Sequence, residues 1–304
     1  MRVEQSMPYS KIEELCSLLG YSRQAYYQGK KHQEKVILSE ELLLQEVNSH
    51  RKLMKRLGGR KLLVKMQLFM QQHAIGIGRD SFFDLLREHG LLIRKRKNRK
   101  PITTNSKHWL KKYPNLIEDF IPIAANQLWV SDITYIHVGT EFAYLSLITD
   151  AYSRKIVGFY LSQNLSTIGC ENALRMALKS LPEKHRLIHH SDRGVQYCSY
   201  DYVELLEKQH IRISMTQTGD PLDNAIAERV NGILKSELLE NIYPDFNIAR
   251  NEIAKAISTY NFLRPHSSID MLTPVDAHVM EGVIKKRWKN YYALKKEQEV
   301  LMEI

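Results

Sequence analysis

Cysteine is scarce: the 304 residues contain three, Cys16, Cys170 and Cys198. They are odd in number and far apart, which argues against a disulfide framework and against a CxxC-type zinc site. Long apolar runs are missing too. No stretch approaches the roughly 18 residues needed to cross a bilayer, and the opening MRVEQSMPYSK has no signal-peptide core. The expectation is a soluble protein of the cell interior with no membrane partner. Internal repeats, low-complexity segments and a sustained heptad are also lacking, which excludes solenoids and long coiled coils. What is present is 43% hydrophobic and 26% charged residues, enough for a buried core and for two domains of ordinary size, or one core with attachments.

Acid is scarce in the first part of the chain. Residues 1–125 hold 24 of the 44 basic but only 12 of the 34 acidic residues. The remaining 20 and 22 leave residues 126–304 slightly acidic, so the whole basic excess precedes them. A basic segment joined to a slightly acidic one points to a polyanion-binding module attached to a part with another task, nucleic acid being the leading polyanion. The alternative is a solvated basic face.

Residues 8–29 predict a short helix ended by Gly20 and a second one capped by Ser22. This is the outline of a helix-turn-helix, although two short helices around a glycine also occur in any α-rich protein. SEELLLQEVNSHRKLM, GGRKLLVKMQLFMQQ and RDSFFDLLREHGLL predict three more helices, divided by Gly58-Gly59 and by Gly76 and Gly78. Leu62, Met66 and Phe69 recur at helical spacing as core, with Arg60, Lys61 and Lys65 on the solvent side. Arg94, Lys95, Arg96, Lys97, Arg99 and Lys100 then place six positive charges in seven residues. Such a block repels itself unless phosphate neutralises it, which favours a DNA-tracking segment over a merely solvated one. The expected organisation is a short helix-turn-helix (1–38), a helix-turn-helix DNA-binding domain with a basic tail (39–100), a linker (101–125), an α/β core (126–282) and a basic C-terminal helix (283–304) packed by Trp288 and Tyr291.

From Asn126 the period changes to two. QLWVSDITYIHV, FAYLSLIT and KIVGFYLS alternate around β-branched and aromatic residues and are joined by short turns, which predicts an antiparallel meander. A helix capped by Ser166 or Thr167, the strand RLIHHS, a helix over 199–209, the strand IRISMT and a helix begun by Asp220 and Pro221 complete a βββαβαβα order.

Three acids on three of these elements stand out. Asp132 lies mid-strand with Val130 and Thr134 on its face, where a lone carboxylate is costly to desolvate. Asp192 follows the strand LIHH at its C-terminal end, where α/β sheets collect sites. Glu228 rides on the last helix with Asn231 and Lys235 on its face, opposite Leu222, Ile226, Val230 and Ile233. Together they supply the hard oxygen ligands that Mg²⁺ prefers and Mn²⁺ accepts. Two ions about 3.5–4 Å apart serve an in-line phosphoryl displacement with no side-chain nucleophile.

WVSDITYI (129–136), HSDRGVQY (190–197) and DNAIAERVNGILKSE (223–237) resemble the three catalytic blocks of the insertion-sequence-three family of bacterial transposases, in its second-reading-frame protein. The 35 residues between Asp192 and Glu228 match that family's spacing. YNFLRPHSSIDMLTP (260–274) resembles a further block, and residues 40–100 are similar to the helix-turn-helix segment that precedes the core; the likeness covers about 260 of 304 residues. One departure is Gly58-Gly59 before Arg60, where many members carry an aromatic residue.

The resemblance implies an RNase H-like integrase catalytic core, a mixed five-stranded sheet with flanking helices, preceded by all-α helix-turn-helix DNA-binding segments. It implies a cytoplasmic, nucleoid-associated DNA transposase in which Asp132 bridges two Mg²⁺ while Asp192 and Glu228 each hold one. Such an enzyme cleaves a strand at the element's end with water and joins the 3′-hydroxyl to another strand. The implied partners are double-stranded DNA of the terminal repeats and target, at least one further copy of the chain on DNA, and a first-frame protein as fusion or partner. Lys235 is implied to contact the terminal nucleotides. Asn231, Arg229, His190, Arg193, Asn224, Arg264 and His266 near the site, and Arg60 and Lys61 upstream, complete the DNA-facing candidates, while Tyr260, Asn261 and Pro265 are structural or DNA-facing.

Plainer readings stand beside these. Asp223 is a helix-start acid favoured by the helix dipole, and Asp150 is a turn residue. His189 and His190 are nitrogen donors that Mg²⁺ does not favour, which leaves His190 behind the site or against DNA. His266 is open between DNA contact and packing. Tyr26, Tyr27 and Tyr197 pack by default, with base stacking as the alternative. A retroviral zinc domain is disfavoured, because the histidines do not pair with three scattered cysteines. A DNA-binding regulator with an inert core, and a plain RNase H-like nuclease that hydrolyses without joining, are the competing functions.

Overall fold

The computed structural model describes residues 12–93, 108–217 and 224–285. The basic run 94–100, the helix start at Asp220 and Pro221, Leu222, Asp223 and the C-terminal segment with Trp288 and Tyr291 lie outside the described residues. The chain divides into two compact units, residues 1–52 with 65–92 and residues 53–64 with 93–304.

In the first unit, α1 (Ile12–Leu18) is followed by Gly20 at φ +72°, a left-handed position that strains any side chain. Ser22 opens the next helix as expected, its Oγ accepting the Ala25 N–H at 3.0 Å. That helix, α2 (Arg23–Leu53), does not stop near residue 38 but continues for 31 residues. It holds no proline and a single glycine, Gly29, in a run rich in Leu, Glu, Gln and Lys, so nothing breaks it. The two helices expected on either side of residues 38 and 39 are therefore one. Leu43 and Val47 of α2, Met66 of α3 (Gly59–Gln72), and Phe82, Leu85 and Leu86 of α4 (Arg79–Glu88) are buried. Phe69 is half-buried, its ring 4.4 Å from that of His73. Arg51 donates to the Leu91 carbonyl at 3.0 Å.

In the second unit, β1 (Leu128–Val138), β2 (Glu141–Asp150) and β3 (Ile156–Ser162) form the antiparallel meander. β4 (Ile188–Ser191) pairs with β1 in parallel and β5 (Arg212–Met215) pairs with β4 in parallel, which gives a mixed sheet of order β3-β2-β1-β4-β5. α5 (Thr167–Leu178), α7 (Tyr200–Lys208), α8 (Ala225–Ile233) and α9 (Phe246–Phe262) flank it; through α8 the element order is the expected one with a one-turn helix, α6 (Val195–Cys198), added before α7, and α9 follows as a helix the expected order did not include. The strand period of two sends side chains to both faces. Ile136, Leu145 and Leu147 pack with Val230 and Ile233 of α8 and Ile253 and Ile257 of α9, whereas Trp129 and Ile148 pack with α5 and α7.

Two features hold the sheet's edges. Asp150, the expected turn residue, is fully buried and accepts the N–H groups of Asn126 at 2.7 Å and Ser153 at 2.8 Å, and the Ser153 hydroxyl at 2.7 Å. It ties the start of β1 to the β2–β3 turn. The described part of the expected linker lies along β5: the Pro114 carbonyl accepts from Met215 N–H at 3.3 Å, and Leu116 N–H donates to Ser214 Oγ at 2.9 Å. All three cysteines are free and buried. No helix among the described residues is long and apolar enough to cross a membrane.

Candidate active site

Two of the three carboxylates are placed by the backbone ladder. β1 and β4 pair in parallel with Val130 opposite His190. Two residues further on, Asp132 continues β1 and Asp192 follows just past the end of β4, near enough for its charge to act on Asp132. Asp132 is half-buried; its Oδ1 accepts the N–H of Ile133 at 2.9 Å and its Oδ2 accepts the Asn231 amide at 2.7 Å. Asp192 Oδ1 accepts the Gly194 N–H at 3.0 Å. Burial, then the charge of Asp192, pushes Asp132 up to about 7 against the hydrogen bonds from Asn231 and Ile133, and Glu228 adds a smaller push the same way.

The third carboxylate, Glu228, stands in the first turn of α8. Asn224 Nδ2 donates to the Ser131 carbonyl at 2.9 Å, and Ala227 packs with Leu128 and Val130, which lays this end of the helix across β1. The expected helix face holds, with Asn231 on Asp132 and Lys235 lowered by burial but drawn back up by the charge of Asp132. Glu228 is exposed, and among the described residues no three His, Cys, Asp or Glu side chains are gathered closely enough to hold a metal ion. The helix that carries Glu228 changes at Leu234 into a π-turn, Leu234–Leu238, in which Leu239 N–H reaches the Leu234 carbonyl at 2.8 Å.

The expected DNA-facing side chains divide into two groups. Arg60 and Arg229 are exposed, and Arg193 and Lys235 are half-buried. The others lie inside. His190 is fully buried, its Nδ1 2.8 Å from Ser214 Oγ, so it packs within the sheet rather than against a bulky ligand. Arg264, 1% exposed, forks onto Glu237, with Nε to Oε2 at 2.9 Å and a terminal nitrogen to Oε1 at 2.8 Å. Lys61 was expected on the solvent side; its ammonium instead reaches Glu237 Oε1 at 2.9 Å, an ion pair that draws it inward. His266 is buried beside Ser268 and edge-on to Tyr260, and burial, then Arg264, holds it well below the ordinary histidine range. Asn224 and Asn231 are buried as well. Tyr197 is buried, while the rings of Tyr26 and Tyr27 meet edge-on.

Glu237 and Gly194 were not singled out from sequence, and His189 was weighed there only as a nitrogen donor. Glu237 follows Glu228 by nine positions, half a turn round the helix, and finds its partner Arg264 27 residues away. His189 is fully buried between Ser131 Oγ at 2.7 Å and Tyr202 OH at 2.9 Å, and burial brings it down to about 3, a neutral ring behind the strand of Asp132. Gly194 leaves room for Asp192, since a Cβ there would lie 3.0 Å from Asp192 Oδ1 and 3.2 Å from Gln196 Oε1. The dipeptide Arg193-Gly194 straight after the acid was the one available signal.

Residues 123–221 match a family model described as an integrase core domain, and residues 209–274 match a second model of the same description. The chain is 35% identical over 268 residues to a 31 kDa protein of insertion element IS600 from Shigella sonnei, covering 86% of this chain and 96% of that protein. It is 34% identical over 196 residues to the transposase InsF of insertion sequence IS3A from Escherichia coli K12, covering 62% of this chain and 66% of that protein, just under two thirds. A solved structure of the HTLV-2 integrase catalytic core domain in complex with magnesium aligns with a TM-score of 0.41 at 21% identity, over 51% of this chain and 97% of that one. The mixed sheet with its flanking helices is thus an RNase H-like integrase core. The chain belongs to the IS3 family of insertion-sequence transposases.

Proposed function

We propose that this transposase grips the ends of its element and carries out Mg²⁺-dependent cleavage and joining of DNA strands at Asp132, Asp192 and Glu228. The observation that supports this most is the state of Asp132, a carboxylate forced up to about 7 beside a second one. A pair whose charged form is costly alone becomes favourable around a shared cation, and an all-carboxylate donor set fits Mg²⁺, with Mn²⁺ as a substitute. Two Mg²⁺ ions shared by these residues would supply Lewis-acid polarisation of the phosphate and a deprotonated water or 3′-hydroxyl.

The chain's own side chains do the rest. Asn231 fixes the Asp132 carboxylate, the Gly194 N–H fixes that of Asp192, and Lys235 sets a positive charge beside them where a phosphate would lie. Arg60, Arg193, Arg229 and the run Arg94–Lys100 are the residues proposed to hold the DNA backbone, with terminal repeats and target as ligands and a second copy completing the pairing of ends.

Labelled element-end DNA, a target plasmid and Mg²⁺ or Mn²⁺ test the proposal. Glu228→Gln is expected to lose nicking and joining by roughly 10⁴-fold, the scale seen when a member of a catalytic unit is removed, while still binding the ends. Comparable joining by the variant removes Glu228 from the site. Gly194→Ala is expected to displace the Asp192 carboxylate and slow joining about 100-fold, the effect of a misplacement near 1 Å, with its melting temperature little changed. Wild-type rates in Gly194→Ala would show that Asp192 does not depend on that space.

One observation favours a second reading, in which the chain is a component that needs a first-frame protein. Glu228 is exposed, and among the described residues no three acidic, histidine or cysteine side chains are close enough together to hold a metal ion, an arrangement that fits a site completed on assembly. Binding without chemistry by the chain alone, with chemistry restored by the first-frame region, selects that reading.

A further inference from the structure

Two large aromatic side chains stand in water beside the chain that follows Asp192. Trp109 is 80% exposed and Tyr200 73%, and their ring centroids lie 6.3 Å apart at an interplanar angle of 51°. The rings are neighbours, yet their faces stay open. Such exposure forgoes the burial through which tryptophan and tyrosine stabilise a fold, and grouped apolar surface, unlike a single exposed residue, marks a place where something binds.

The residues around them impose this exposure. His108, one position before Trp109, sets its Nε2 2.8 Å from the Arg193 carbonyl. Leu110 and Tyr113 pack against the cluster that holds Tyr197 and Cys198 of α6 and Tyr202 of α7. Trp109 is thus held outward between two anchored neighbours. Tyr200 is the first residue of α7 and points outward where Tyr202 is buried. Arg193 directly follows Asp192, so the aromatic pair is tied to the same stretch of chain as one carboxylate of the proposed site.

The surroundings are basic. Lys111 and Lys112 come straight after Trp109 and are exposed, and Arg193 is half-buried with an Nε that has no hydrogen-bond partner among the described residues, against one neighbouring acid, Asp201, next to Tyr200. Open aromatic faces among positive charges suit single-stranded nucleic acid, the charges taking phosphates and the rings taking bases. Inside a duplex both faces of a base are covered, so these rings serve a base that has left the stack. A protein partner fits less well, since two rings supply far less than the ~1,200 Å² of total surface that a specific protein contact buries.

We propose that Trp109 and Tyr200 form a stacking site for an unpaired base of the DNA strand that runs past Asp192, with Lys111, Lys112 and Arg193 on its phosphates. This rests on the reading of Asp132, Asp192 and Glu228 as a site for DNA strands.

The test measures metal-free binding to a duplex with a short thymidine tail and to the same duplex whose tail keeps its sugars and phosphates but has no bases, which holds charge constant. Wild type is compared with Trp109→Ala, Trp109→Phe and Tyr200→Ala. Wild type should hold the base-bearing tail about 10-fold or more tighter, the scale of stacking one base, and that tail alone should quench its tryptophan fluorescence. Trp109→Ala should lose most of the preference, Tyr200→Ala a smaller part, and Trp109→Phe should keep some of it without the quenching. Affinity for the bare tail and the melting temperature should not change.

Equal affinity of wild type for the two tails overturns the proposal, as does a preference that survives Trp109→Ala. So does a dimer that sediments without DNA and comes apart in Trp109→Ala, which would make the pair a contact between copies. The functional reading fails separately: a wild type that distinguishes the tails but neither nicks nor joins with Mg²⁺ keeps the stacking site and loses the strand chemistry. One that joins DNA yet binds both tails alike keeps the chemistry and loses the stacking site.

Discussion

Asp132→Asn is expected to abolish strand joining and, in metal-free protein at pH 8, to melt at a higher temperature than wild type. The folded-state value of about 7 stands above the ordinary 3.8, so the folded protein holds this proton more tightly than the unfolded chain does. The associated stability is complete below about pH 3.8 and is lost as pH rises through about 7. Wild type should therefore fall behind the asparagine variant across that window and stay behind above it, by something on the order of a few kcal/mol at 1.36 kcal/mol per unit. At pH 4 the two should melt nearly together.

Mg²⁺ should reverse the ranking, since an ion that binds the folded carboxylates stabilises only the protein that has them. Thermal melts at pH 4 and pH 8, with and without Mg²⁺, alongside the joining assay, check all of this. A wild-type curve indifferent to both pH and Mg²⁺ would contradict the proposed carboxylate pair, and joining by the variant would contradict its role.

Gly158→Ala is expected to disrupt the core as severely as any single added methyl group can. A Cβ at this position would lie 2.2 Å from the Ala173 carbonyl oxygen and 2.9 Å from the Ala177 Cβ. The carbonyl belongs to the ladder of α5 and cannot turn aside without breaking it, so the whole helix must lift from β3. Cys170, Ala173, Leu174 and Ala177 would move with it, all now at most 2% exposed. Overpacking ordinarily costs about 1–3 kcal/mol; a clash against main chain on a helix that cannot repack belongs at or beyond the upper end. Gly232→Ala is the control, because nothing lies within 4 Å of a Cβ there and the position is helical, where alanine is preferred. Urea midpoints should separate the two variants widely, with Gly232→Ala at or above wild type. Equal midpoints would mean that α5 does not sit as close to the sheet as described.

The strands and the acids were readable because their signals are local. Alternation marks β1 to β3, a carboxylate amid Val130 and Thr134 is conspicuous on energetic grounds, and the spacing from Glu228 to Asn231 and Lys235 marks one helix face. The adjacency of Asp132 and Asp192 was not readable from spacing, since it depends on a parallel pairing of strands whose partners are sixty positions apart. Lys61 misled for a different reason: amphipathic reasoning sends a lysine to water, whereas its acceptor lies 176 residues further on. Arg264, His190 and His266 share that difficulty, being polar residues whose buried partners no local pattern reveals. The length of α2 was underestimated because a new helix was begun at Ser39 although no proline or glycine ends the preceding one there. The π-turn has no signature in a period of 3.6.

Hydrogen bonds between β1 and β4 make the spacing of the two aspartates a property of the main chain. Neighbouring strands stand about 4.8 Å apart whatever side chains they carry, so the main chain under the two aspartates keeps its spacing while a substitution such as Gly194→Ala acts on where a carboxylate points. Glu228 comes from a helix instead, which side chains hold to β1 through the Asn224–Ser131 bond, the Asn231–Asp132 bond and the packing of Ala227, so its place depends on side chains where that of the aspartates' backbone does not.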